Sequence, residues 1–356
     1  MNKDLKLIKK LAEGFGVSGF ESGISLMIKK ELIGYGFTFE SDNLGSFMVH
    51  YRTDPTKPHI AFFTHIDEVG FIVNKIENDG FIRFSPIGGF NKKIVLSERV
   101  LIRNKDGSLV PGLIASDINE KNLSSFEDFY IDVGTSSKEE TLALGVAIGS
   151  PIEFDSKVNL LSNNLIVCKA LDDRLCAYSL VMAMKKLAKS DICANITAVF
   201  SVQEEVGCRG AQTASQMLDM EFGFALDVTD SFDIPDGNPM CDCRVNNGIA
   251  LSVIDGATIA HRGLLKVLMK LFDKEKIKYT FDPMDVGGTD SSKIHLSKNG
   301  VSNITISLPV RYMHSPNTVG SLKDASTLTD VILLIAGNFD WKLTNEISYS
   351  KFSIFG

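Results

Sequence analysis

Through the second half of the chain, apolar runs of strand length alternate with longer stretches of helical periodicity, and nearly every run stops at a carboxylate or an imidazole. Helical spacing near residues 173–188, 209–217, 257–276 and 321–339 alternates with strand-like runs at 194–202, 222–228 and 303–308. This alternation predicts an α/β fold, a mostly parallel sheet flanked by helices on both faces. The run PHIAFFTHI at 58–66 reads as a further buried strand, and Leu5, Ile8, Leu11 followed by Ile24, Met27, Ile28 and Leu32 mark two amphipathic helices at the start. Between Val69 and Ser162 the texture changes to short β-like runs (70–76, 80–87, 94–102, 108–114, 129–133) punctuated by Gly, Asn and Asp. The expected organisation is an α/β domain made of residues 1–68 and 163–356, with a small all-β domain, 69–162, inserted into it.

Composition narrows what such a fold serves. A chain of 356 residues with 44% hydrophobic and 23% charged side chains is an ordinary soluble globular protein with ample material for a core. Its net charge of −7 argues against nucleic acid and anionic membranes as partners. No apolar stretch approaches the roughly 20 residues of a membrane-spanning helix. The opening MNKDLKLIKKLAEGFG lacks the uninterrupted apolar region of a signal peptide. The six cysteines form no CxxC pair, and Cys241-Asp-Cys243 is poorly spaced for a zinc knuckle or a disulfide, so reduced thiols and a cytoplasmic location are expected.

In open α/β sheets, ligands gather beyond the carboxyl ends of the strands. The run IAFFT ends in His65-Ile-Asp67, Leu165–Leu171 in Asp172-Asp173, Ile196–Gln203 in Glu204-Glu205 and Phe222–Leu226 in Asp227, while Ile304–Pro309 is followed by Arg311-Tyr-Met-His314. Singly each has an ordinary explanation: a core histidine, a helix N-cap, a solvated turn, a loop residue. Together, five strands of one sheet would bring to one edge so much carboxylate that the groups repel and their pKa values climb. Divalent cations remove the conflict. Four positive charges from two metal ions offset three ligand carboxylates and one bridging hydroxide. Two histidines among the ligands suit zinc, or cobalt or manganese, better than magnesium. His65 then acts as a ligand, and Asp67, two residues on and pointing the same way, accepts its other imidazole N–H. The adjacent glutamates Glu204 and Glu205 can divide the roles of ligand and general base. Asp173 and Arg174 read as structural, an N-cap and a salt bridge, and Thr289 and Asp290 either line a substrate site or serve the fold. His50, His59, His261 and His295 fall outside the constellation.

With these residues in place the sequence resembles the tetrahedral (TET) aminopeptidases, dinuclear metallopeptidases that include glutamyl, leucyl and deblocking enzymes, some carrying an endoglucanase label. The likeness rests on Gly16-Val-Ser-Gly-Phe-Glu21, His65-Ile-Asp-Glu-Val-Gly-Phe71, Pro86-Ile-Gly-Gly89, Ala170-Leu-Asp-Asp-Arg174, Val202-Gln-Glu-Glu-Val-Gly207, Asp227-Val-Thr229, Gly287-Gly-Thr-Asp290 and Pro309-Val-Arg-Tyr-Met-His314, in that order. A related clan shares the ligand order but inserts its extra domain later. The resemblance implies that Asp172 bridges two metals, that His65 and Asp227 complete one and Glu205 and His314 the other, and that Glu204 is the base. It also implies a cis Asp172–Asp173 peptide, a PDZ-like dimerisation role for the inserted unit, dimers assembling into a hollow dodecamer, and peptide substrates trimmed from the N-terminus. One departure is the run Arg244–Ala250, where family members usually carry a Gly-Lys-Gly-Pro-like segment.

Three other readings compete. A glycoside hydrolase of the endoglucanase type could use Glu204 and Glu205 as acid and base, but it needs no histidines and favours an aromatic cleft, whereas the chain has one tryptophan, Trp341. A non-catalytic metal-binding scaffold leaves Glu204 without a task. A metal-dependent deacylase or carboxypeptidase of the related clan shares the ligand order, and substrates alone separate it.

Overall fold

All seven residues of the strand His59–His65 are buried, as expected of a strand covered on both faces. In the computed structural model, which describes residues 3–51, 54–117, 125–235, 237–238, 241–282 and 287–347, this strand lies inside an eight-stranded sheet. The order across the sheet is Thr38–Ser41, Phe47–Tyr51, Asn195–Ser201, His59–His65, Phe222–Asp230, Ser302–Val310, Ile249–Ser252 and Tyr279–Asp282. The four strands from Asn195–Ser201 to Ser302–Val310 are mutually parallel and contiguous, so their carboxyl ends share one edge.

Among the described residues, four of the seven strand pairings are parallel and three antiparallel, so the sheet is mainly parallel with antiparallel additions at its sides. Thr38–Ser41 and Phe47–Tyr51 are joined by too short a link for a parallel crossover and pair antiparallel. Phe47–Tyr51 also runs against Asn195–Ser201, and Ile249–Ser252 runs against Ser302–Val310. The helix Arg262–Glu275 packs through one face, its buried positions Leu264, Leu268 and Phe272 falling at a spacing of four, whereas Leu171–Leu187 is buried almost all round. That helix starts later than its periodicity suggests, because His261 caps it, its Nδ1 accepting from the Leu264 N–H at 3.2 Å. The first two helices, Lys3–Ala12 and Ser22–Leu32, bury Leu7, Ile8, Leu11, Ile24, Ile28 and Leu32 in the same core.

A correction concerns Leu165–Cys168. This strand lies outside the main sheet, in a three-stranded antiparallel sheet between Asn159–Leu160 and Thr318–Ser321. Its short apolar run is equally at home in either sheet, and sequence periodicity cannot choose between them. The residues after it therefore reach the edge of the main sheet from the start of the helix Leu171–Leu187.

Six strands between Gly70 and Phe154 close into a barrel, in the order Gly70–Ile76, Ile82–Ile87, Phe129–Asp132, Leu109–Ser116, Arg99–Arg103, Pro151–Phe154. Closure leaves no open sheet edge. Its core is aromatic: the Phe71 ring centroid lies 4.9 Å from Phe84, 4.8 Å from Phe90 and 5.4 Å from Phe154. The closing strand, Pro151–Phe154, gives no sequence signal because it has only four residues and all are buried.

A buried ionic network joins barrel and sheet. Lys169 Nζ lies 2.8 Å from Glu68 Oε1 and 3.0 Å from Glu153 Oε2, and Arg174 Nη2 lies 3.5 Å from Glu68. Glu153 belongs to the closing strand of the barrel, while Glu68 follows the strand His59–His65. Arg174 also donates to the carbonyls of Leu11 (2.8 Å) and Gly16 (3.1 Å). A Cβ on Gly16 would stand 2.5 Å from Arg174 Nη2, which is why glycine sits there. Lys169→Met leaves two buried carboxylates with one cation fewer, and should cost about 3–5 kcal/mol in urea unfolding of the purified protein. A loss below about 1 kcal/mol would show that water reaches the network.

Candidate metal centre

His65 ends its strand with Nε2 turned towards two carboxylates, 3.0 Å from Asp172 Oδ1 and 3.7 Å from Asp227 Oδ1. The second oxygen of Asp172 faces the other histidine: His314 Nε2 is 3.1 Å from Asp172 Oδ2 and 3.3 Å from Glu205 Oε2. Two three-residue groups result, His65–Asp172–Asp227 and Asp172–Glu205–His314, each with its donor atoms within 4.8 Å of one another. Asp172 is common to both. Glu204 lies beside them, its Oε1 accepting from the Cys208 thiol at 2.9 Å. All six strand-end candidates and Asp67 are thus brought to one place, although Asp172 and His314 arrive from a helix start and a loop.

A second layer of residues fixes this arrangement. Asp67 is fully buried; its Oδ1 accepts from the Glu204 N–H (3.0 Å), and its Oδ2 from the Glu205 N–H (3.2 Å) and the Ser18 hydroxyl (2.6 Å). The same Oδ1 stands 3.4 Å from His65 Nδ1. Glu21 Oε1 accepts from the N–H of Gln203 (3.1 Å) and of Gly19 (2.6 Å), bracing the glutamate turn from the other side. Neither Ser18 nor Glu21 has a chemical signature in sequence; both lie within Gly16–Glu21, a segment singled out only by resemblance. The turns that carry the site are also strained. Ala170, Gln203, Cys208, Tyr312 and His314 hold φ between 53° and 60°, a left-handed conformation that non-glycine residues adopt at a cost of about 1–3 kcal/mol and that clusters at functional sites.

Asp173 does not cap the helix; its carboxylate is buried and accepts from the Thr64 hydroxyl. The Asp172–Asp173 peptide is cis. Arg174 makes its salt bridge with Glu68. Asp290 is buried beside Glu204 and Cys208 and accepts from Ser201, while the Thr289 hydroxyl is 2.9 Å from that of Thr305. His50 and His59 both reach the Thr197 hydroxyl, at 2.9 and 2.7 Å, and remain outside the site together with His261 and His295.

The electrostatics favour a cation. Burial, reinforced by Asp227, Glu205 and Asp290, pushes Glu204 well above the usual carboxylate range. Burial and the neighbouring Asp172 raise Glu205 to about 8. Burial alone would lower the histidines, yet Asp172 and Asp227 hold His65 well above its ordinary value, and Glu205 and Asp172 hold His314 at about 10. Carboxylates that retain protons and histidines that cannot lose them are what a surplus of negative charge produces without a compensating ion. Glu205 Oε1 is buried and has no hydrogen-bond partner. A set of two imidazoles and three carboxylates, one of them facing both ways, fits two divalent cations of the zinc type.

Comparison with known proteins identifies the family. The model of the M42 glutamyl aminopeptidase family matches residues 45–331. The chain is 33% identical to a putative aminopeptidase of Acetivibrio thermocellus over 332 residues, 92% of this chain and 96% of the relative. A TET aminopeptidase from the marine sediment archaeon Thaumarchaeota archaeon SCGC AB-539-E09 superposes with a TM-score of 0.93 at 30% identity, covering 98% of this chain and all (100%) of the other. The TET1 peptidase of Pyrococcus horikoshii, described as assembling into a tetrahedron or a large octahedral shell, superposes with a TM-score of 0.85 at 25% identity, covering 95% and 100% of the two chains.

Asp67→Ala removes the acceptor of three buried donors at once. The metal-free variant should lose at least about 1–3 kcal/mol in urea unfolding. Its affinity for zinc, measured by competition with a chelator, should fall roughly 10–100-fold; unchanged affinity would mean that Asp67 does not orient His65.

Proposed function

The chain belongs to the M42 glutamyl aminopeptidase family and is a metal-dependent aminopeptidase, and from that premise we propose that it removes N-terminal residues from peptides at a two-metal centre. His65, Asp172 and Asp227 would hold one cation, and Asp172, Glu205 and His314 the other, with Asp172 shared between them. The observation that carries this reading is the carboxylate of Asp172, whose two oxygens face different histidines at 3.0 and 3.1 Å. When bound, such a cation pair supplies Lewis acidity that polarises the scissile carbonyl and acidifies a water molecule.

The protein's own groups do the rest. Glu204 accepts the proton of the attacking water on a carboxylate oxygen and delivers it to the departing amine nitrogen. Asp67 positions that base through the Glu204 N–H and orients His65. The free amino terminus of a peptide is drawn to the surrounding carboxylates, which directs cleavage to the first residue.

The inserted unit, residues 69–162, is proposed as a PDZ-like dimerisation domain, with dimers assembling further into a dodecamer. Support comes from large apolar side chains exposed on and around its barrel, Leu109, Leu113, Leu142 and Ile148 among them, with Ile148 72% exposed. A cytoplasmic location is supported by six unpaired thiols. Among the described residues, no helix is long and apolar enough to cross a membrane.

Three outcomes test the reading. Metal-stripped protein should be silent on aminoacyl chromogenic substrates and regain turnover with zinc or cobalt; activity on a soluble glucan alone would overturn it. Glu204→Gln should keep its metal content and lose roughly 10²–10⁴-fold in turnover, and substantial residual rate would remove it as the base. His314→Ala should lose one metal equivalent in elemental analysis, and an unchanged stoichiometry would remove it as a ligand.

A further inference from the structure

Beside the Asp172 centre lies a third group of potential ligands with different chemistry. Glu204, Cys208 and Asp290 bring two carboxylates and a thiol within 4.8 Å of one another. The Cys208 sulfur is 2.9 Å from Glu204 Oε1 and 3.4 Å from the Thr289 carbonyl. Asp290 is 3% exposed; its Oδ2 accepts from Ser201, and its Oδ1 is buried with no hydrogen-bond partner among the described residues. An orphaned buried carboxylate oxygen is costly unless something positive visits it.

We propose that Glu204, Cys208 and Asp290, with the Thr289 carbonyl, form a third cation site for a thiophilic divalent ion such as zinc, cobalt or cadmium, and that its occupation switches the peptidase off. The inhibitory part rests on the reading of Glu204 as base. Metal–sulfur bonds of about 2.3 Å and metal–oxygen bonds of about 2.0–2.2 Å place neighbouring ligand atoms about 3.5 Å apart, so small side-chain movements close this group around an ion. As the sulfur–metal bond forms, the thiol proton leaves to solvent. The ion then occupies the Glu204 oxygen that would otherwise take a proton from water. The two catalytic ions have only nitrogen and oxygen ligands, whereas this one has sulfur, so softer metals are selected for it. The site is a brake that responds to metal excess.

Cobalt separates the two kinds of site, because a cobalt–thiolate bond has an intense near-ultraviolet charge-transfer band that nitrogen and oxygen ligands do not produce. Protein carrying two equivalents of cobalt is titrated with more, while absorbance and turnover of an aminoacyl chromogenic substrate are followed. The band should grow with the third equivalent, and turnover should fall at least tenfold in step. Cys208→Ser and Cys208→Ala, each compared with its own rate at two equivalents and checked for folding by circular dichroism, should show neither change. Absence of the band, or its persistence in both variants, would overturn the site. A band without loss of turnover would overturn its inhibitory role. If the two-equivalent protein is silent on every peptide, the inhibitory role fails together with the peptide-trimming reading on which it rests, and the band still decides whether the third site exists.

Discussion

The carboxylate of Asp67 is the contact on which the rest of the site depends. It has no exposure to water, yet its two oxygens receive the Ser18 hydroxyl and the backbone N–H groups of Glu204 and Glu205, and one of them faces His65. Three separate pieces of chain, the loop after the first helix, the end of a central strand and the glutamate turn, are thereby fixed to one point. Against the upward push of burial, His65 first and then the hydrogen bonds from Ser18 and the Glu204 N–H hold the Asp67 carboxyl below its usual range. The geometry of both glutamates is therefore set by backbone contacts, which leaves their side chains free for chemistry.

The same logic extends outward through Glu68, the next residue. Glu68, Lys169, Glu153 and Arg174 form a chain of buried charges from the barrel to the helix that carries Asp172. Replacing such a network with apolar residues of the same volume often stabilises a protein. Its directional contacts, however, fix how the barrel sits against the sheet far more narrowly than a greasy seam could. Glu153 pays for this with a pKa raised to about 7, chiefly by burial.

Much of this was legible before any coordinates. The runs at 58–66, 194–202, 222–228 and 303–308 fall on observed strands because buried parallel strands are continuous and apolar. The polar residues that interrupt them are those that meet in space. What escaped was of two kinds. Short or exposed elements, such as Thr38–Ser41 and Tyr279–Asp282, are too brief to show a period, and sheet membership, as for Leu165–Cys168, depends on a pairing as distant as that of Leu165 with Ser321. The bracing roles of Ser18, Glu21 and Cys208 escaped because a lone serine, glutamate or cysteine announces nothing; only the fold brings them to the glutamates.

The insertion of the barrel also shapes how the chain reaches this state. In the main sheet, His59 pairs with Asn195, a separation of 195 − 59 = 136 residues. Closing so long a loop carries an entropic penalty that grows only with the logarithm of its length, but it slows the search for register. During synthesis the strand His59–His65 emerges long before either of its parallel neighbours, with an almost wholly apolar surface and both edges open. The barrel, made of nearer contacts, has all of its strands available in that interval, and its closure would draw the ends of the loop together. The late step in the birth of this protein is then the docking of Asn195–Ser201 beside a strand that has been waiting for it, and until that step the chain is most exposed to aggregation.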